Sequence, residues 1–286
     1  TSWVSEVLQS DVRNIRRTQI GQGVGIMGDI FRIDLDHSDP STPRSVVVKL
    51  PSSWEENRAQ GVALGMFEAE VKFYRELAQK VPVGLPYIHL AEIESGTANF
   101  IIVMEDLNVL TMVNQSDGIT LDQALMAVEV LAIVHSVWWD QADSEELAWI
   151  PNMIGPRIQF VDGLLLQILE PFCNAFAEHL PPGGKEMFEA FAGNYVAINK
   201  TLANRSPWTL AHQDFRVENM LFGKDRVVVL DWQGIGRGPG SYDLAYFLGG
   251  SMNIDLRRAH EREIVAHYYD KLMERKMCPN PVCLFF

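Results

Sequence analysis

The chain has 286 residues, 47% of them hydrophobic and 21% charged, a length that suits one large domain or two medium ones. Its 21 Gly and 14 Pro are ordinary counts, which excludes collagen-like and broadly disordered chains. The net charge of −13 disfavours nucleic acids and anionic membranes as partners, because they carry the same sign, and any anionic ligand therefore needs a local cationic site.

The first third of the chain, residues 12–105, is predicted to be mostly strands. Residues 31–36 alternate apolar and polar side chains, which is the period of a half-buried strand, and residues 46–50 are rich in β-branched valine. A hairpin is predicted around residues 95–97. One helix interrupts the strands at 57–80, where apolar residues recur at helical spacing. The predicted strands are 31–36, 46–50, 87–94 and 99–104.

A glycine-rich segment follows the start of this region. Gly23, Gly25 and Gly28 match the pattern G-x-G-x-x-G, and Gly21 precedes them. In a dinucleotide-binding turn a helix opens directly at the glycines. Here residues 30–36 alternate as a strand, and a strand–glycine loop–strand arrangement is typical of hairpins that cover nucleotide phosphates with backbone N–H groups. A glycine-rich turn without a ligand is the alternative.

Lys49 ends the apolar strand and is expected to need an anionic partner. The helix predicted at 57–80 offers three glutamates. Glu68 and Glu76 have basic residues four positions later, so both are expected to form solvated pairs. Glu70 lies beside the apolar face and is predicted to point into the protein. The alternative is an edge-strand Lys49 whose amine reaches solvent.

Beyond Asp106 the predicted structure becomes mainly helical. Thr120 and Gln123 fit a capping box that opens a helix running to about Asp140. The other predicted elements are helices at 157–180, at 184–203 and after 241, and short strands at 219–222 and 226–230. We therefore predict a small β-rich part, residues 1–105, a larger helical part, residues 106–286, and a ligand site in the crevice between them.

Three further features concern the setting of the chain. Three cysteines are too few for a disulfide scaffold and lack metal-ligand spacing, which predicts reduced thiols in a cytoplasmic protein. The most apolar stretch, 124–139, is interrupted by charged and polar residues, so a buried helix is expected and no membrane span. The absent initiator Met and the apolar ending suggest that a longer chain was trimmed.

The most specific pattern lies in residues 211–222, which read AHQDFRVENMLF, and in residues 227–233, VVVLDWQ. Together they resemble the kinase catalytic loop H-R-D-x-x-x-x-N followed by a metal-binding D-F-G. This resemblance implies that Asp214 accepts the proton of the attacking hydroxyl group. It also implies that Asn219 and Asp231 supply oxygen ligands to Mg²⁺.

Two neighbours of Asp214 complete this segment. Arg216 is expected to neutralise charge on the transferred phosphoryl group. His212 is expected to pack the loop from below instead of acting in catalysis. Each of these polar residues could also cap a turn or satisfy backbone groups, but their joint occurrence in this order favours the kinase-like interpretation.

The whole set of motifs resembles the aminoglycoside phosphotransferase/choline kinase-like superfamily, and within it the ecdysteroid-kinase-like branch and related bacterial phosphotransferases. The family H-G-D stands here as His-Gln-Asp, which keeps the acid and alters the residue before it. Asp243 matches an aspartate that braces the catalytic loop. The segments that carry the resemblance are 21–25, 46–50, 70–74, 104–107, 131–135, 212–222, 231–233 and 242–247.

The resemblance implies an α+β, bilobal protein-kinase-like fold with a small β-rich N-lobe and a larger helical C-lobe. It implies ATP and Mg²⁺ as cofactors. Gly21, Gly23 and Gly25 would cover the nucleotide phosphates, and Lys49 would contact them while Glu70 holds it.

The resemblance also assigns the segment between the two lobes. Met104 would form a wall of the adenine pocket, and the carbonyl of Glu105 and the N–H of Leu107 would meet the adenine edge. A simple interdomain strand without a ligand is the alternative on local sequence.

The function expected on this basis is phosphorylation of a hydroxyl group on a small molecule. A protein kinase is disfavoured because only twelve residues separate Asp231 from Asp243 and no A-P-E follows. A catalytically silent nucleotide-binding protein and an NAD-dependent oxidoreductase remain as alternatives. The acceptor is open, and aromatic residues are candidates to line its pocket: Trp138, Trp139, Trp149, Trp208 and Tyr246.

Overall fold

The structure is a computed structural model that describes residues 1–21, 27–204 and 207–275. An antiparallel sheet occupies the N-terminal part, and helices dominate the C-terminal part, which confirms the predicted α+β class. The strands are β1 Val12–Ile20, β2 Gly28–His37, β3 Ser45–Pro51, β4 Ile88–Ile93, β5 Phe100–Glu105, β6 Thr111–Met112, β7 Trp208–Ala211, β8 Met220–Phe222, β9 Val227–Val229 and β10 Gly236–Pro239. The helices are α1 Ser2–Leu8, α2 Glu55–Ala63, α3 Met66–Lys72, α4 Leu121–Val137, α5 Pro156–Ala175, α6 Gly184–Ala203, α7 Ser241–Ser251 and α8 Ile254–Glu274.

The N-terminal sheet has the strand order β1-β2-β3-β5-β4. Strand β3 is central, so Lys49 does not lie on an edge strand. Side chains alternate along β3: Val46 and Val48 join a small apolar cluster on one face, whereas Val47 contacts the main core on the other. By the same alternation Lys49, which pairs with Ile102 of β5, faces the main core and the C-terminal part.

The glycine-rich segment is followed by a strand. Strand β2 begins at Gly28, the last glycine of the pattern, and a strand at this position disfavours the dinucleotide-binding alternative, which needs a helix there. Gly21 has a φ of 67°, a left-handed conformation that glycine adopts without strain. The predictions for Gly23 and Gly25 fall outside the described residues.

The helix predicted at 57–80 is interrupted. It consists of α2 and α3, separated at Gly65, whose φ of 66° is incompatible with a continuing helix. After α3 the chain continues as a five-residue π-helical turn and a short 3₁₀ turn. The break reorients α3, whose residues Phe67, Glu70 and Val71 are buried against the sheet.

The C-terminal part is built around α4, which packs against α8. The predicted capping box is present: the Thr120 side chain accepts from the amide of Gln123, and the Gln123 side chain accepts from the amide of Thr120. Most of α4 is buried, including Leu131 and His135. Among the helices of the described residues, none is long and apolar enough to cross a lipid bilayer.

Candidate active site

Two loops lie side by side because the strands on either side of them are paired. The loop at 212–219 connects β7 to β8, and the loop at 230–235 connects β9 to β10. Strand β7 pairs with β10, and β8 pairs with β9. The amide of Leu230 also donates to the carbonyl of Asn219 at 2.8 Å. After the roles that the sequence predicts for them, we call the first loop, 212–219, the catalytic loop and the second, 230–235, the metal loop.

A buried carboxylate holds the start of the catalytic loop. Asp243, in the first turn of α7, accepts hydrogen bonds from the amides of His212 (2.7 Å) and Gln213 (2.8 Å). Its Oδ2 also lies 3.1 Å from Nε2 of His135, whose Nδ1 lies 2.6 Å from the Tyr268 hydroxyl. Since Asp243 and His135 are fully buried, this chain of contacts fixes the loop to α4, α7 and α8.

The ring of His212 bridges the two loops. Its Nε2 lies 3.0 Å from the carbonyl of Leu230, and its Nδ1 lies 3.2 Å from the amide of Asp214. Both ring nitrogens are thus used by the backbone, as expected for a residue that packs the loop from below.

Asp214 is held at both of its carboxylate oxygens. The amide group of Asn219 donates to Oδ2 at 2.9 Å and to the Asp214 carbonyl at the same distance. The hydroxyl group of Tyr246, from α7, donates to Oδ1 at 3.0 Å. These contacts fix the direction of a carboxylate whose side chain is still 31% exposed.

The side chain of Arg216 pairs with two carboxylates of its own loop and with one residue outside it. Its guanidinium group lies 3.2 Å from Asp214, contacts Glu218 and donates to Gln115 at 3.0 Å. Burial opposes its charge, but the carboxylates of Asp214 and Glu218 outweigh that effect and raise the pKa of Arg216.

Lys49 stands between two carboxylates. Its Nζ lies 2.7 and 2.9 Å from the two oxygens of Glu70 and 2.8 Å from Oδ1 of Asp231. Burial disfavours the charged amine, yet Asp231 and Glu70 together raise the pKa of Lys49. Burial also raises the pKa of Glu70, because desolvation of its carboxylate outweighs the attraction of Lys49.

Of the three candidate glutamates, Glu70 is the one in contact with Lys49. The side chains of the other two are more exposed to solvent and have other partners. Glu68 accepts from the hydroxyl of Ser95 at 2.5 Å and from the amide of Gly96, and Glu76 pairs with Arg75. Among the described residues neither glutamate forms an ion pair with the basic residue four positions later, although the charge of Lys72 helps to lower the pKa of Glu68 after its hydrogen bonds from Ser95 and Gly96.

Oxygen atoms gather where the metal loop meets the catalytic loop. Asp231 has a φ of 64°, and its Oδ2 accepts from the side-chain amide of Gln233 at 3.1 Å. The Oε1 of Gln233 is buried and has no hydrogen-bond partner among the described residues. The side-chain nitrogen of Asn219 donates to Asp214, and within the described part of the chain no hydrogen bond reaches the side-chain oxygen of Asn219. Carboxylate and amide oxygens of this kind fit a hard divalent cation such as Mg²⁺.

The predicted hinge follows the end of β5. Met104 is buried in the main core, and the amide of Glu105 donates to the Tyr87 carbonyl at 2.9 Å. The Glu105 carboxylate pairs with Arg226 at 2.6 Å, which links the hinge to the β8–β9 turn. Among the described residues, no hydrogen-bond acceptor pairs with the N–H of Leu107.

The sequence prediction missed the contact between Tyr246 and Asp214. The sequence suggests Tyr246 only as a pocket aromatic, because its position in α7 carries no local signal of what it touches. Trp138 and Trp139, also proposed for the pocket, are 2% and 4% exposed and belong to the core. Burial and the charge of Asp214 raise the pKa of Tyr246 to about 12, so its hydroxyl stays protonated and donates.

We expect Tyr246→Phe to lower turnover by about tenfold, because Asp214 loses one hydrogen bond to a charged group. Tyr242 provides the matched control: its ring stacks on Tyr246 at 6.2 Å, and no hydrogen bond among the described residues joins its hydroxyl to Asp214. Tyr242→Phe should therefore leave turnover within about twofold of the wild type. Equal losses in the two variants would assign the effect to the ring stack instead.

A sequence model of the Ecdysteroid kinase-like family matches residues 22–277. No curated protein matches the chain. The matched range contains Lys49, Glu70 and both loops of the site.

Solved structures of several phosphotransferases resemble this fold. Macrolide 2'-phosphotransferase from Brachybacterium faecium matches with a TM-score of 0.53 and 17% identity, covering 98% of this chain and 84% of that chain. Choline kinase from Cryptosporidium parvum Iowa II matches with a TM-score of 0.61 and 10% identity, covering 92% and 73%. The ternary complex of streptomycin, ATP and APH(2'')-IIa matches with a TM-score of 0.54 and 14% identity, covering 96% and 84%. At these identities the similarity establishes a shared fold.

Proposed function

The chain belongs to the ecdysteroid kinase-like family of small-molecule phosphotransferases, and we propose that it transfers the γ-phosphoryl group of ATP, with Mg²⁺, to a hydroxyl group of a small molecule. The observation that carries this proposal is a pair of contacts in two adjacent loops: Asp231 of one loop binds Lys49, and Asn219 of the other binds Asp214. In phosphoryl transfer the protein contributes mainly positioning and charge stabilisation, and these side chains supply both.

Nucleotide binding is assigned to the N-lobe and the hinge. Lys49 is the buried cation that an acidic protein needs for an anionic ligand, and Glu70 keeps it extended from the sheet. Gly21, Gly23 and Gly25 are proposed to cover the phosphates. Complexes of two similar folds contain ATP or ADP, which supports a nucleotide ligand here.

The adenine ring is assigned to the hinge. The N–H of Leu107 offers a donor for it, and the carbonyl of Glu105 is the proposed acceptor. Met104 would form the apolar wall.

Asn219 and Asp231 would hold Mg²⁺, and Gln233 offers a further oxygen beside them. When bound, the ion would neutralise charge on the phosphate oxygens. Since Asp231 is paired with Lys49, we propose that these two groups separate when the nucleotide enters.

In the transfer step, Asp214 would orient the acceptor hydroxyl and take its proton. Oδ2 accepts from Asn219, whereas Oδ1 accepts from Tyr246 and lies 3.2 Å from Arg216, and we propose that Oδ1 receives the proton. A carboxylate oxygen accepts more than one hydrogen bond, so Tyr246 and the acceptor could share Oδ1. Arg216, whose guanidinium group lies 3.2 Å from Asp214, would lie beside the transferred group and neutralise its charge.

The test is an acceptor screen read by ADP formation. The panel would contain aminoglycosides, choline-like alcohols, sugars and steroid-like alcohols, with Mg²⁺ and ATP, and each assay would be repeated after chelation by EDTA. We expect acceptor-dependent ADP formation that EDTA abolishes and Mg²⁺ restores. ADP formation that persists in EDTA would contradict the metal assignment.

The screen also distinguishes an active phosphotransferase from the catalytically silent alternative. Thermal stabilisation by Mg·ATP, without ADP from any acceptor, would indicate a nucleotide-binding protein. Absence of both would contradict the proposed function as a whole.

A further inference from the structure

Gln213 occupies a position of the catalytic loop that favours glycine. It stands directly before Asp214, and its φ is 65°, in the left-handed region where a Cβ is unfavourable. The family pattern H-G-D has glycine at this position. A non-glycine residue persists there only when surrounding contacts determine its conformation.

One arginine supplies such a contact. Nη1 of Arg157, in the first turn of α5, donates to Oε1 of Gln213 at 3.1 Å and to the carbonyl of Gly234 at 3.0 Å. Gly234 lies in the metal loop, three residues after Asp231. The same nitrogen thus joins Gln213, the residue before the proposed catalytic base Asp214, to Gly234, a residue close to the proposed metal ligand Asp231.

Arg157 binds neutral oxygen atoms. None of the ion pairs among the described residues involves it, although the chain carries 37 acidic side chains. It is half-buried, and burial lowers the pKa of Arg157. A cation that is partly desolvated without a carboxylate gains its stability from the two oxygens that it binds.

The two loops are in close contact at this point. A Cβ on Gly234 would lie 3.2 Å from the His212 carbonyl, and a Cβ on Gly236 would lie 2.1 Å from the side-chain nitrogen of Gln213. The Gln213 side chain therefore lies folded over the start of β10, between the loops. Its backbone amide is held on the other side by Asp243.

We propose that Arg157 is a positioning residue that locks the catalytic loop to the metal loop through Gln213 and Gly234. With glycine at position 213 the backbone of the catalytic loop would be flexible. With Gln213 held by Arg157 this backbone is fixed, and the lock sets the distance between Asp214 and Asp231. It also ties the α5–α6 helical hairpin to the site. The assignment of those two acids rests on the proposed function, whereas the lock itself does not.

Hydrogen exchange tests the lock without any need for activity. We expect Arg157→Met to raise the exchange rate of amides in 211–216 and 232–236 by about tenfold, as one charge-assisted hydrogen bond is lost. Exchange in β2 and β3 should stay unchanged. Lys185→Met is the matched control, because Lys185 is an exposed cation of the same hairpin that pairs with Glu189. The amides of the Lys185→Met variant should exchange at wild-type rates.

Kinetics then show what the lock does for catalysis. With Mg·ATP and an acceptor found in the screen, Arg157→Met should lower kcat by about tenfold with little change in the KM for ATP. Arg157→Lys should recover part of the loss. The Gln213→Gly background keeps the left-handed backbone without strain. In this background the decrease in log kcat caused by Arg157→Met should be less than half of the decrease in the wild-type background.

Wild-type exchange rates in Arg157→Met would overturn the proposal, even if the variant lost activity. Equal effects of Arg157→Met in the wild-type and Gln213→Gly backgrounds would overturn the pairing with Gln213. If the chain forms no ADP with any acceptor, the exchange data still decide whether the lock exists.

Discussion

Asp214→Asn should lower kcat by about 10³-fold, within the range that general-base catalysis contributes. The asparagine keeps the size of the side chain and one oxygen that can accept from Tyr246 or Asn219. What it loses is the ability to take the proton of the acceptor hydroxyl. The measurement is the rate of ADP formation under saturating Mg·ATP and acceptor.

Binding of the nucleotide should survive in this variant. Lys49, Asn219 and Asp231 are unchanged, so the dissociation constant for Mg·ATP should stay within about threefold of the wild type, less than about 1 kcal/mol. Asp225→Asn serves as the control, since Asp225 is an exposed acid in the turn between β8 and β9. It should keep full activity. Near-normal turnover in Asp214→Asn would refute the assignment of the base.

The contacts within the loop 212–219 could be predicted because they are local. Asp214 and Asn219 are five residues apart in one loop, and the contact between them follows from that spacing. The choice of Glu70 over its neighbours also follows from a local pattern, the apolar face of the helix. In both cases the information lies within a few residues of sequence.

The rest of the site depends on contacts between distant elements. Tyr246 meets Asp214 across 32 positions, and Arg157 meets Gln213 across 56. No periodicity in α7 or α5 shows which neighbour a side chain will reach, because the packing of the whole C-lobe decides it. The break at Gly65 escapes prediction for a related reason: the apolar spacing of 57–80 is compatible with a continuous helix, and only the sheet determines where α3 must turn.

Lys49→Met should destabilise the fold and abolish turnover together. Lys49 is 8% exposed and Glu70 is 1% exposed, so removing the amine leaves two carboxylates, Glu70 and Asp231, facing each other without a cation. Breaking a buried pair in this way costs about 3–5 kcal/mol. Glu70→Gln should cost less, because Asp231 still compensates the charge of Lys49. Urea denaturation measures the loss.

The double variant Lys49→Met/Glu70→Leu separates stability from chemistry. It replaces the buried pair with apolar side chains, and Asp231, which is 27% exposed, remains solvated. We therefore expect it to recover most of the stability lost in Lys49→Met while it stays inactive, since no cation is left for the phosphates. The exposed pair of Lys80 and Glu146 is the control: Lys80→Met should cost less than about 1 kcal/mol. If the double variant is as unstable as Lys49→Met, uncompensated charge is not the cause. If it turns over ATP at the wild-type rate, Lys49 does not hold the nucleotide.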